Sequence, residues 1–157
     1  MKNDTKKMKW ILRFVTVCYY INIIAIVAYA AIAGIIGVAA SFGKVEFLSI
    51  LAENGINWSY LEALSFGSLL AVFGLVEIVV LLLLLKAIRR FLSNIISETI
   101  FVQENVILAK KASLLLLILA ITNLGSFIYL FASLLVWVIA KVLEKAIAIA
   151  EENEFTI

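Results

Sequence analysis

Residues able to do chemistry are few in this chain, and the first is an acid in an unusual place. Glu77 lies inside a largely apolar run from Phe66 to Leu85 that ends at Lys86, Arg89 and Arg90. A carboxyl group at membrane depth is costly, so it marks an ion or proton path or a polar contact between helices. Asn22 lies nine residues past Arg13 and Glu77 nine before Lys86, which puts both about 13 Å beyond a basic boundary at helical rise. Asn22 can therefore hydrogen-bond Glu77 between two helices, with Tyr19 or Tyr29 a turn or two away. Asn123, twelve residues past Lys111, lies about one turn deeper. One reading makes these residues interhelical glue, worth about 1 kcal/mol. A second makes them a proton- or cation-sensitive site, and a third a lipid- or peptide-facing contact.

Catalysis has little to work with. No second acid shares the depth of Glu77, so a paired-carboxylate mechanism has no partner. The chain has no histidine and one cysteine, Cys18, which removes Cys/His zinc sets, HExxH metal sites and Ser-His-Asp or Cys-His nucleophiles. We expect no enzyme activity, no cofactor and no metal.

The elements that must position these residues are read from hydropathy. Of 157 residues, 65% are hydrophobic and 15% charged, an apolar excess that a chain this short cannot bury and must turn toward lipid. The net charge of +2 gives no basic stripe for direct nucleic-acid binding. Basic residues flank the apolar runs instead. Lys2, Lys6, Lys7, Lys9 and Arg13 precede the first run, which places the N-terminus in the cytoplasm. Ala28-Tyr29-Ala30 has the form of a signal-peptide cleavage site, but the apolar run continues beyond it as a retained anchor does. Ala30/Gly34 and Ala33/Gly37 are small-xxx-small pairs suited to close helix packing.

The expected architecture is all-α: a polytopic membrane helical bundle forming a single domain over 1–157. Its helices cover about 10–40, 60–96, 102–122 and 127–149, with an outer connection at 41–59 and a cytoplasmic one at 97–101. Within the outer connection, Val45 to Ala52 has the pattern of a short amphipathic helix, Asn54-Gly55 marks a turn, and Ser59 with Glu62 forms a capping box. The absence of proline leaves these helices free of ring-induced kinks. Ala112 to Ala140 carries no charge and spans about 43 Å as a helix, long for one crossing and short for two. A single tilted span gives three transmembrane helices and an external C-terminus. A turn at Thr122–Ser126, with the preceding helix starting before Lys110, gives four and a cytoplasmic C-terminus; four is the preferred count.

Two stretches carry a family resemblance. Phe101-Val102-Gln103-Glu104-Asn105 followed by Lys110-Lys111, and the closing Glu151-Glu152-Asn153-Glu154-Phe155-Thr156-Ile157, resemble the paired signature of the DUF2975 family. That family comprises small bacterial membrane proteins of four helices without an established activity. Phe155 stands where relatives usually have leucine and Glu154 where they often have aspartate, and the last interhelical connection is shorter than in many of them. The resemblance implies residence in a bacterial cytoplasmic membrane and a small helix-turn-helix regulator as partner. It also makes Phe101, Gln103, Glu104, Asn105, Glu152, Asn153 and Thr156 candidate partner-binding residues. Two functions follow. The first is a non-enzymatic anchor, regulator or immunity-type partner, engaging a regulator or another membrane protein. The alternative is a small proton- or cation-coupled transporter or channel, in a homo-oligomer because four short helices enclose little space.

Overall fold

A computed structural model describes residues 2–42, 49, 52–55, 60–123 and 125–154. Among them the chain is all-helical: α1 is Lys2–Phe42, α2 Tyr60–Ile96, α3 Gln103–Thr122 and α4 Phe127–Glu154. Each contains a segment long and apolar enough to cross a membrane: Thr5–Ile35, Gly67–Ile96, Gln103–Thr122 and Phe127–Glu152. The protein is thus a multi-pass membrane protein with four candidate spans.

The four-helix count rests on how α3 stops. Its last turn is closed by Asn123, whose backbone N–H and Nδ2 both donate to Leu119 O at 3.0 Å. Gly125 takes φ +79°, a left-handed conformation that side chains resist. Its N–H and that of Ser126 return to Ala120 O at 2.8 and 3.2 Å, satisfying a carbonyl that the helix end exposes. Ser126 O then accepts from Leu130 N at 3.1 Å, and α4 begins. Because α3 starts at Gln103, well before Lys110, it reaches the length of a span; a single continuous helix over 112–140 does not form.

Two helix ends lie beyond their sequence-based bounds. α1 begins at Lys2, not near residue 10, and α4 runs to Glu154, not 149. The extra turns are rich in Lys and Glu, which keep good helix propensity without apolar periodicity. The amphipathic helix expected over 45–52 falls largely outside the described residues, and the expectations for Ser59 and for 155–157 fall wholly outside them. Asn54 and Gly55 do form a turn, with Gly55 at φ +77° and its N–H on Ala52 O at 2.9 Å.

The chain divides into two compact units, one of residues 1–22 with 80–157 and the other of 23–79. In the first, α3 is the central element. Eight of its residues are buried, among them Val106, Ala109, Ala112, Ser113, Leu119 and Ala120. Small residues let α4 approach, and α4 buries Ser133, Ala140 and Ile147, one every seven residues as in a packed helical seam. Ser113 Oγ donates to Ser133 O at 3.0 Å and Ser133 Oγ to Ser113 O at 2.8 Å, so two hydroxyls are satisfied reciprocally inside the seam. Val80 and Leu84 of α2 complete the core with Leu115 and Leu119.

In the second unit the described tie is different. Tyr29 Oη donates to Ala71 O at 3.1 Å, and Gly74 makes room for the ring: a Cβ there would lie 2.5 Å from Tyr29 Oη. The small residue used for close approach is therefore Gly74 of α2. At Gly34 of α1, where the small-xxx-small pattern pointed, a Cβ would meet no described atom within 4 Å beyond its own stretch of helix.

Candidate functional site

The connection between α2 and α3 is built from side chains that sequence reading took as a docking motif. α2 closes with two backbone bonds, Glu98 N to Ile95 O at 3.1 Å and Thr99 N to Asn94 O at 3.0 Å. That pairing forms a Schellman turn, whose left-handed position usually holds glycine. Here it holds Glu98, with φ 63°. Asn105, fully buried in the first turns of α3, then ties the corner together. Its Nδ2 donates to Thr99 O at 2.9 Å and Ile100 O at 2.8 Å, while its Oδ1 accepts from Asn94 Nδ2 at 2.8 Å. Asn94 Nδ2 also reaches Glu104 Oε2 at 3.2 Å, and Glu104 Oε1 accepts from Arg90 Nε at 2.9 Å. The acid sits in the first turn of α3, where a negative charge suits the helix dipole.

This network divides the first candidate motif. Asn105 is buried in the corner and Glu104, itself exposed, is held by Asn94 and Arg90, whereas Phe101 is 62% exposed and Gln103 is exposed at the start of α3 with no such bond described. An aromatic ring is thus held outward on a corner whose own polar groups are satisfied. Of the second motif, Glu152 is exposed on the last turns of α4 and Asn153 continues its backbone; Thr156 lies outside the described residues.

The membrane-depth trio is split between the units. Asn22 is buried in the first unit with its Oδ1 lacking any hydrogen-bond partner. Glu77 is half-buried in the second unit. Asn123 is occupied as the cap of α3.

Sequence reasoning missed a basic cleft in the first unit, about 480 Å³ in volume. Lys86, Arg89, Arg90 and Ser93 contribute from one face of α2, Tyr19 from α1, and Leu108 and Lys111 from α3. The spacing 86, 89, 90, 93 was the available signal, since residues three and four apart share a helix face. Arg89 Cζ lies 5.6 Å from the centroid of the Tyr19 ring, within cation–π range. Lys110, beside the cleft in sequence, turns instead to Glu144 at 2.7 Å, and Lys141 meets the same carboxylate at 3.0 Å. Among the described residues no group of His, Cys, Asp and Glu is arranged to hold a metal ion. No protein-family model, curated protein or solved structure matches this chain.

Proposed function

We propose that this integral membrane protein is a non-enzymatic anchor or regulator that engages a protein partner from the end where α2 turns into α3. The observation that carries the reading is Phe101, an exposed ring on a corner fixed by Asn94, Asn105, Glu104 and Arg90. Exposed aromatics on rigid supports concentrate binding energy, because little side-chain or backbone freedom is lost on contact. The basic residues around this end, Lys86 to Arg90 and Lys110 to Lys111, favour a cytoplasmic orientation. The resemblance to DUF2975 supports the same region and a small helix-turn-helix regulator as the partner class.

A photo-crosslinking residue at position 101 tests this in native membranes, with Ile128, a still more exposed apolar site on α4, as control. The expected result is one discrete protein adduct from position 101 and none from 128. Identical adducts from both sites, or none from either, would remove the proposal. A reporter fused after Ile157 checks the orientation, with cytoplasmic activity expected.

A second reading, coupled transport, is favoured by the buried unpartnered Oδ1 of Asn22, since such acceptors are rarely left unsatisfied in a membrane interior. It expects a proton or cation flux in reconstituted vesicles that Glu77→Gln eliminates. Wild-type flux equal to that of empty vesicles excludes it.

A further inference from the structure

We infer that the cleft between α1, α2 and α3 binds a phosphate group, presented by the headgroup of an anionic phospholipid. Four cationic residues line it, Lys86, Arg89, Arg90 and Lys111, together with Tyr19 and Ser93. Arg90 shares its charge with Glu104. Among the described residues no carboxylate pairs with the other three. Gathering unneutralised like charges around one cavity is unfavourable unless an anion occupies it. The contrast is with Lys110, the neighbour of Lys111 on α3, which meets Glu144 of α4 together with Lys141.

The chemistry of the lining fits a phosphate ester. Guanidinium groups offer paired N–H donors matched to its oxygens, ammonium groups add compact charge, and hydroxyls complete the shell. The position fits a lipid. Lys86 and Arg89 end the apolar run of α2, and Lys111 precedes that of α3, so the cations sit where hydrocarbon gives way to headgroups. Leu83 and Leu108 form part of the same wall and offer the glycerol and first acyl carbons an apolar contact. Arg89, stacked over Tyr19, is held at the cleft instead of extending into water.

The experiment uses the full chain in uncharged detergent, with native mass spectrometry reading bound lipid as phosphatidylglycerol is titrated. Wild-type protein is expected to retain one lipid more tightly than phosphatidylcholine. The triple variant Lys86→Gln/Arg89→Gln/Lys111→Gln is expected to weaken that binding on the order of a hundredfold, roughly fivefold per cation removed. The charge-conserving Lys86→Arg/Lys111→Arg variant, which guards against misfolding, retains it within about twofold. Arg90 is left intact because it also holds Glu104. Lys6→Gln/Lys7→Gln, which removes exposed charges outside the cleft, leaves binding unchanged. Titration with inorganic phosphate separates the sources: no displacement of lipid at millimolar concentration supports the headgroup, and full displacement overturns the lipid assignment in favour of a soluble anion. Equal loss in the Lys6/Lys7 and cleft variants, or undiminished binding in the triple variant, overturns the site itself.

Discussion

The α3–α4 pair and the unit of residues 23–79 are made of the same apolar alphabet, yet they are tied in opposite ways. In α3 eight residues are buried, whereas in 23–79 none of the residues whose burial is described is. Lipid tails solvate leucine as well as another helix does, so hydrophobicity does not by itself bring membrane helices together. Both regions contain small residues; what marks the α3–α4 seam is that its small residues are buried and two of them exchange hydrogen bonds. The α3–α4 seam has Ala109, Ala112, Ser113, Ala120, Ser133 and Ala140. The 23–79 unit has one described tie, Tyr29 over Gly74.

The sharpest way to break the comparison is at the corner that starts α3. Asn105→Ala strands Thr99 O and Ile100 O and removes the acceptor for Asn94 Nδ2. Losing partners for several buried polar groups at about 1–3 kcal/mol each, with partial relief by water, gives an expected loss of about 3 kcal/mol. Unfolding in mixed micelles should show it, and Asn105→Asp should not recover it, because a carboxylate oxygen then faces Thr99 O and Ile100 O where the amide donates. A loss below about 1 kcal/mol would mean the corner is open to water and not a fixed support for Phe101.

Within the seam, Ala140 is fully buried. Ala140→Leu inserts atoms where the backbones approach and is expected to cost about 2 kcal/mol, read by the same unfolding assay. Ser113→Ala should cost less, about 0.6 kcal/mol, the average for a hydrogen bond between membrane helices. Ser133 Oγ keeps its bond to Ser113 O in that variant. If Ser113→Ala proved the more damaging of the two, hydrogen bonding and not close packing would hold the seam.

These outcomes bear on how much the sequence discloses. The four spans were legible from apolar run lengths and from the turn at Thr122–Ser126, because membrane thickness and the left-handed demand at Gly125 act locally. The site was less so. Asn105 and Glu104 stand out in the sequence only through the family resemblance; their intramolecular partners, Asn94 and Arg90, lie eleven and fourteen residues away across a turn, a distance that periodicity does not encode. Gly34 and Gly74 illustrate the same limit. Both are small residues in spans, and only the facing Tyr29 ring decides which one matters. Lys86, Arg89 and Lys111 read as boundary markers, and their convergence on one cleft depends on the packing of three helices.

A smaller effect tests the corner from its other side. Glu98 occupies a left-handed position at φ 63°, which costs a non-glycine residue on the order of 1 kcal/mol. Glu98→Gly should therefore stabilise the protein by about 0.5 kcal/mol after the added freedom of the unfolded chain is counted. A destabilised Glu98→Gly would show that the glutamate side chain itself contributes to the turn.

The smallest expected change is at the Tyr29–Gly74 contact, and it is the most diagnostic. Gly74→Ala improves the helix propensity of α2 by about 1 kcal/mol. It also places a methyl group against Tyr29 Oη, displacing the phenol from Ala71 O at a cost of about 0.6 kcal/mol. The two effects nearly cancel, so global stability should shift by less than about 0.5 kcal/mol. Tyr29→Phe loses the same hydrogen bond without the propensity gain, and the double variant should behave as though the two changes were not additive, since both act on one contact. Strict additivity would show that Tyr29 and Gly74 are independent. Hydrogen exchange of the α3 amides should be unaltered in all three variants, because that helix is held by the seam and the corner, and neither includes residues of this unit.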